Sequence, residues 1–300
     1  MFEIIKTPKI DFIGKRNIAF MASGIFIAIG IVALIQIARG AINLGIDFSG
    51  GTSVHLKFEK PIPMDHARKI LEQSGLKDVD LQDFPAENKL LIRIKKSDIE
   101  TGKVSENIVR IFSEGFSGTK FVVDSTTEIG PKIGKSLQKD ALIAVAIATA
   151  GILIYIAWRF RFKFGVAATI ATFHDVLFVL GVFYIMNKEI NLLLITALLT
   201  IAGYSLTDTV VVFDRIRENM KLRYKEPIPL VINSSINEVL SRTIITAGTT
   251  FLAATALFFF GGEVIHDFAF AILIGIAIGT YSSIFIASPI LVVWKGRLRK

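Results

Sequence analysis

The sequence predicts a membrane protein with six transmembrane helices and one small α+β domain between the first and second helices. Three observations support this prediction: long apolar runs, positive charge that alternates between successive loops, and one polar stretch of domain size. The chain has 300 residues, of which 52% are hydrophobic and 20% are charged, and its formal net charge is +8. This apolar content excludes an intrinsically disordered chain.

Six runs are long and apolar enough to cross a bilayer, whose hydrocarbon core requires about 20 residues of helix. Each run contains no more than a single charged side chain. The predicted spans are residues 18–38, 141–158, 164–186, 190–213, 241–260 and 268–294. A cleaved signal peptide is the alternative for the first run, but such peptides have shorter apolar stretches of about 7–15 residues. We therefore expect the first helix to be retained.

The Lys and Arg residues of the short loops predict the orientation of the chain. They gather in the N-terminal tail 1–17, between the second and third spans, in the loop 214–240 and in the tail 295–300. With six spans, all these segments lie on one side, which the charge assigns to the cytoplasm. A basic chain could instead bind nucleic acid. The long uncharged runs and 24 Phe residues argue against a nucleic-acid partner and for the lipid bilayer.

Residues 39–140 have the size of one small domain and are expected outside the cytoplasm. Their hydrophobic pattern switches between the strand period of 2 and the helix period of 3.6. The predicted elements are strand 52–58, helix 64–74, strands 79–84 and 89–95, helix 104–112 and strand 120–126. The order βαββαβ predicts a ferredoxin-like domain.

The sequence contains no pattern typical of a cofactor or metal site. It has no Cys, which excludes disulfides and Cys-ligated metals. His55 and His66 lack suitably spaced partners, and the glycine-rich stretch 45–52 lacks the Lys of a phosphate-binding loop. We found neither a His-Glu-x-x-His zinc motif nor a Gly-x-Ser-x-Gly nucleophile motif. We therefore expect no cofactor, no metal and no enzymatic activity.

Charged residues inside the predicted spans give the strongest functional signal, because each costs at least about 2.5–3.5 kcal/mol at mid-helix. Asp208 lies about 8 Å from the cytoplasmic end of the fourth span, and Asp175 about 16 Å into the third. Arg242 lies near the cytoplasmic start of the fifth span. The fourth and fifth spans are antiparallel, so we expect Asp208 and Arg242 to approach each other.

A carboxylate beside an arginine in a dry bundle can act as a proton switch, because protonation removes the ion pair and lets the helices repack. Two alternatives remain open. Arg242 could extend its side chain to the membrane interface. Asp175, which follows His174, could be a structural carboxylate held by hydrogen bonds.

Small and polar residues recur at spacings of three or four, which places them on single helix faces. They are Thr196, Thr200, Gly203 and Thr207 on the fourth span, Thr246 and Thr249 on the fifth, and Gly275 and Gly279 on the sixth. Such faces favour contact with another helix, within this chain or in a partner, over contact with lipid. We expect Tyr204, one turn from Asp208, to be a further polar neighbour.

Three motifs resemble those of the SecF proteins, the six-span half of the SecD/SecF family in the RND superfamily. They are Gly-Ile-Asp-Phe-Ser-Gly-Gly-Thr at 45–52, the block at 203–219 that begins Gly-Tyr-Ser-Leu-Thr-Asp, and Leu-Ser-Arg-Thr-Ile-Ile-Thr at 240–246. The resemblance covers essentially the whole chain. The family usually has Ile-Asn where this chain has Leu206 and Thr207, which changes one polar neighbour of Asp208.

The resemblance implies a half of an RND-type transporter in the cytoplasmic (inner) membrane. Its implied partners are SecD, the SecYEG translocon, YajC and exported preproteins, and its implied coupling ion is the proton. Asp208 and Arg242 correspond to positions of the family's proton pathway, and Asp175 belongs to another family motif. The alternative is one half of an RND-type proton antiporter for small molecules or lipids. A single outer domain of about 100 residues argues against that alternative.

Overall fold

A computed structural model describes residues 8–76, 79–85, 87–95, 103–116 and 118–294. The chain divides into two compact units. The helical unit consists of Met1–Asn43, Ala144–Lys188 and Leu193–Lys300, and the sheet unit of Leu44–Ile143 and Glu189–Leu192. The predicted tail 295–300 and the first seven residues of the predicted tail 1–17 lie outside the described residues.

The elements follow the predicted order. They are α1 (Arg16–Ala38), α2 (Ile46–Ser49), β1 (Gly51–Phe58), α3 (Met64–Gln73), β2 (Val79–Phe84), β3 (Lys89–Ile94), α4 (Val104–Gly115), β4 (Phe121–Ile129), α5 (Pro131–Arg159), α6 (Phe162–Ile185), α7 (Leu192–Leu222), α8 (Ile228–Phe260), α9 (Gly262–Ser282), a π-helical turn (Ser283–Ala287) and α10 (Ser288–Val293). Within the described residues, six helical segments are long and apolar enough to cross a membrane.

Each of the six segments is longer than its predicted span, although some of their ends lie one or two residues inside the predicted ends. Helix α5 begins at Pro131, ten residues before the predicted start of its span, and α7 continues to Leu222. Hydropathy marks only the apolar part of a helix, whereas backbone hydrogen bonding continues through polar residues. The predicted spans therefore identify the helices and underestimate their length.

The predicted loop 214–240 is mostly helical. Only a short turn separates the end of α7 at Leu222 from the start of α8 at Ile228. Polar side chains join the two extensions: the Asn219 amide donates to Ser235 Oγ at 3.0 Å and to Glu238 Oε2 at 2.8 Å. These polar contacts explain why the segment has a loop-like composition and a helical structure.

The last membrane segment is interrupted by the π-helical turn. Pro289 follows the turn closely, and a proline ring clashes with the carbonyl four residues earlier in a regular helix. The wider π-helical turn accommodates the proline, and Ser288 Oγ donates to the Ser283 carbonyl at 2.8 Å. Hydropathy cannot detect such a turn, although Pro289 is its sequence signal.

The sheet unit contains a four-stranded antiparallel sheet with the strand order β2-β3-β1-β4. Val54, Leu56 and Phe58 alternate along β1 and are buried, which confirms the predicted strand period. They pack with buried residues of α3 and α4, including Leu71 and Phe112. The predicted order βαββαβ is confirmed, with the short helix α2 preceding it.

Candidate functional site

Asp208 lies on α7 inside the helical unit. The hydroxyl groups of Thr243 on α8 and of Ser283 in the π-helical turn lie next to its carboxylate. Within the described part of the chain, Asp208 Oδ2 and Thr243 Oγ1 are buried without a hydrogen-bond partner. A buried carboxylate oxygen without a partner is costly. This position can therefore accept a proton or bind a cationic group from outside the chain.

Asp175 is completely buried in α6, and both of its carboxylate oxygens have hydrogen-bond partners. Its Oδ2 accepts hydrogen bonds from Ser205 on α7 and from Ser282 on α9, the latter at 2.7 Å. His174 Nδ1 lies 2.8 Å from Asp175 Oδ1, and the ring is only 1% exposed. The other ring nitrogen, Nε2, is buried and has no partner within the described residues.

The two acids are linked through adjacent serines at the start of the π-helical turn. Ser282 donates to Asp175, and Ser283 lies next to Asp208. The Ser283 hydroxyl also lies 2.9 Å from Thr209 Oγ1 on α7. π-Helical turns are frequent at functional sites, and here the last residue of α9 and the first residue of the turn direct hydroxyl groups toward two different carboxylates. A change at either acid can therefore be transmitted to the same short segment.

The structure does not bring Arg242 to Asp208. Arg242 is exposed on α8, and within the described residues it forms no ion pair with Asp208. Its neighbour Thr243 occupies the position facing Asp208. Adjacent residues of a helix differ by about 100° in direction, so a correct depth does not ensure a correct face. The expected pair is absent within this chain because the rotation of α8 directs Arg242 outward.

The polar faces predicted on α7 and α8 are uncovered within this chain. The exposed residues are Thr196, Thr200, Gly203 and Thr207 on α7, and Arg242, Thr246 and Thr249 on α8. Thr200 and Thr207 each donate to the carbonyl four residues earlier, at 2.8 and 3.1 Å. Tyr204 is half-buried beside this face. We call these exposed residues the open polar face.

Gly275 and Gly279 place α9 against α7. A Cβ at Gly275 would lie 2.3 Å from Ile201 Cγ1, and one at Gly279 would lie 3.1 Å from Ser205 Cβ. The sequence left open whether this stripe of small residues contacts a helix of this chain or of a partner. The structure shows that it packs against α7 of this chain. The close approach of the two helices also brings Ser282 and Ser283 within reach of the acids on α6 and α7.

Sequence reasoning missed Ser205, Ser282 and Thr243 as parts of the site. The sequence signal for these residues was the presence of hydroxyl side chains within apolar helices. This signal is a weak indication of a functional site, because a hydroxyl group can form a hydrogen bond with the backbone of its own helix. Within the described residues, no group of three His, Cys, Asp or Glu side chains is arranged to hold a metal ion.

Comparisons with known proteins decide the family. The C-terminal domain family of the SecD/SecF protein-export membrane proteins matches residues 112–297, and the SecD/SecF GG motif matches residues 41–62. The chain belongs to the SecD/SecF family. The matched regions include the membrane helices with Asp175, Asp208 and Arg242, so the resemblance seen in the sequence motifs is confirmed.

Relatives named protein translocase subunit SecF match over nearly the whole chain. The protein from Thermodesulfovibrio yellowstonii is 54% identical and that from Calditerrivibrio nitroreducens is 44% identical. The alignments cover 97% and 99% of this chain, and 96% and 98% of the respective relatives. This chain is therefore similar in extent to SecF subunits of the SecD/SecF family.

The fold is also that of solved SecD/SecF-family structures. SecDF from Thermus thermophilus, described as a translocon-associated membrane protein, is 38% identical and superimposes with a TM-score of 0.84. A SecDF structure in a super-membrane-facing form is 37% identical with a TM-score of 0.71. This chain is covered to 97% and 98%, but it spans only 39% and 40% of those two chains. These matches confirm six membrane helices with a small sheet domain as the fold class.

Proposed function

We propose that this chain is one half of a SecD–SecF complex that uses the proton-motive force to promote translocation of preproteins through the SecYEG channel. The observation that carries the proposal is the buried, unpartnered carboxylate oxygen of Asp208 beside the open polar face. The proposal describes a transport component rather than an enzyme. YajC is a further expected partner, since the family resemblance implies it.

The open polar face supports a partner half. An arginine and a row of threonines on membrane helices are poorly matched to hydrocarbon, and such residues usually face a bundle interior or a water-filled cavity. Within this chain they face neither, because they are exposed. A second six-span half, such as SecD, would cover them. The solved SecDF chains, of which this chain spans about two fifths, are long enough to contain such a half.

The surroundings of Asp208 support proton coupling. Its carboxylate is near two hydroxyl groups, and its Oδ2 is buried and unpartnered within the described residues. A proton moving down 100 mV releases about 2.3 kcal/mol, which is enough to shift a two-state equilibrium substantially. Protonation would change the charge next to Ser283 and hence the forces on the π-helical turn. Arg242 is directed outward, away from Asp208. It would therefore balance the negative charge of unprotonated Asp208 only indirectly, through polar groups of the partner that lie between them.

Asp175 is the second acid of the proposed pathway. Its three hydrogen bonds, from Ser205, Ser282 and His174, stabilise a carboxylate in an otherwise apolar location. We propose that it senses the position of Ser282 and so couples the π-helical turn to α6. The proposed location is the cytoplasmic membrane, with both termini in the cytoplasm and the sheet unit outside.

The test is a translocation assay in inverted membrane vesicles that contain SecYEG, SecD and this chain. Asp208→Asn should assemble normally and lose the stimulation of preprotein export by the proton-motive force. Glu218→Gln, a matched change on the same helix at an exposed residue, should keep it. Unchanged stimulation in Asp208→Asn would contradict the proposal.

A further inference from the structure

The start of α7 is attached to the segment that precedes β1. Both lie in the sheet unit, which includes Leu44–Ile143 and Glu189–Leu192. Leu44 and Ile190 form a parallel β-bridge, and the Gly45 N–H donates to the Ile190 carbonyl at 3.0 Å. The chain therefore forms a small strand-like contact just before the helix that carries Asp208.

Asp47 caps that helix from a distant part of the sequence. Its Oδ2 accepts a hydrogen bond of 3.0 Å from the backbone N–H of Leu192, the first residue of α7. The first N–H groups of a helix have no hydrogen-bond partner within the helix. An acidic side chain near them is also attracted by the positive end of the helix dipole. The two residues are 145 positions apart in the sequence, so this hydrogen bond also ties two chain segments together.

An ion pair between the buried Glu189 and the half-buried Arg93 reinforces the attachment. Glu189 is only 7% exposed, and its Oε2 lies 3.3 Å from Arg93 Nε on β3. Arg93 is itself positioned by Gln82, at 3.3 Å, and by Asp80, at 3.6 Å, on the neighbouring strand β2. The sheet therefore provides a fixed cation for the residue that precedes Ile190. Breaking one member of such a pair leaves the other without compensation.

Gly45 allows the two segments to approach closely. A Cβ at this position would lie 3.0 Å from Asn191 Cβ and 3.5 Å from Glu189 Oε2. A larger residue would require Asn191 to shift by a few tenths of an ångström, whereas the distance to Glu189 would be an ordinary van der Waals contact. The first glycine of the motif at 45–52 therefore favours the close approach of the two segments.

We propose that Asp47 and the Arg93–Glu189 pair are positioning residues, which hold residues 189–192 to the sheet as a clamp. The clamp lies within the sheet unit and fixes the residue at which α7, the helix with Asp208, begins. This inference rests on the proposed function and adds to it the positioning of the start of that helix.

The experiment uses the full chain in its complex with SecD and SecYEG, in the same vesicle assay. Asp47→Ala should lower the proton-dependent stimulation of export at least about fivefold without reducing the amount of complex. Asp65→Ala, an exposed acid in the first turn of α3, should not. Because the chain has no native Cys, the pair Leu44→Cys and Ile190→Cys can form a disulfide across the bridge. Oxidation of this pair should restore stimulation to the Asp47→Ala protein.

Full stimulation in Asp47→Ala, or a disulfide that blocks stimulation, would overturn the clamp. Hydrogen exchange gives a readout that does not depend on transport. Exchange of the backbone amides at residues 192–195 should be at least tenfold faster in Asp47→Ala than in the parent, and unchanged in Asp65→Ala. If Asp208→Asn keeps its stimulation while these amides exchange faster, the proposed function fails and the clamp stands. If the amides are unaffected, the clamp fails alone.

Discussion

Ser282 on α9 donates a hydrogen bond of 2.7 Å to Asp175 on α6. The next residue, Ser283, contacts Thr209 and lies beside Asp208 on α7. One dipeptide at the start of a π-helical turn therefore meets two acids on different helices, the buried Asp175 and the half-buried Asp208. The following predictions test this arrangement, the packing that supports it and its surroundings.

Ser282→Ala should destabilise the protein by about 1–3 kcal/mol, because it removes a donor from a completely buried carboxylate. The fall in stability is measured as a lower midpoint of thermal unfolding in detergent micelles. Ser113→Ala, which removes an exposed hydroxyl bonded to its own helix, is the control and should have little effect. Equal stability of Ser282→Ala and the parent would contradict the assigned hydrogen bond.

Gly275→Ala should also be destabilising, by about 1–3 kcal/mol, because the new methyl group would overlap the Ile201 side chain. Gly248→Ala on α8 is the matched control. Its Cβ would have no other heavy atom within 4 Å, so the change should stabilise by up to about 1 kcal/mol through helix propensity. The two unfolding midpoints should move in opposite directions, and a common direction would argue against close α7–α9 packing.

The fold was largely predictable because its signals are local. Apolar runs of about 20 residues located all six spans, and the alternation along β1 located a buried strand face. The site was predictable only in part. Sequence position gives the depth of a residue along a helix, and the two acids were therefore found. It does not give the rotation of the helix about its axis, and for this reason Arg242 was expected to face Asp208. α8 is apolar around most of its surface, and its sequence contains no strong signal for its inward face.

The pH dependence of stability should include a contribution from Glu189. Burial raises the pKa of its carboxyl above the ordinary value of 4.5. The positive charges of Arg93 and Lys95 oppose this rise of the pKa, and the negative charges of Asp80 and Asp47 add to the rise. The folded state therefore binds a proton more tightly than the unfolded state, and this contribution to stability falls as the pH rises above about 4.5.

Glu189→Gln removes that titration. The stability of the parent minus that of the variant should therefore decrease as the pH rises from 4.5 toward neutral, as measured by unfolding midpoints at several pH values. A difference that stays constant or increases with pH would show that the folded state does not raise the pKa of Glu189.

The open polar face should contact a partner half. In the complex with SecD, Arg242→Cys carrying a photoreactive label should cross-link to SecD, because Arg242 is exposed on this face. Phe251→Cys, labelled in the same way, lies on the opposite side of α8 and is 40% exposed. It should give no cross-link to SecD. Cross-links of equal yield at the two positions would contradict the assignment of the face.

The most direct test of the central claim is proton flux through the complex. Proteoliposomes with SecD and this chain, loaded with a pH-sensitive dye, should acidify when a proton gradient and a membrane potential are imposed. Asp208→Asn should abolish this flux, since a carboxamide does not gain and lose a proton near neutral pH as a carboxyl group can, and Glu218→Gln should leave it unchanged. Flux that persists in Asp208→Asn at the level of the parent would contradict the proposal that Asp208 is the coupling acid.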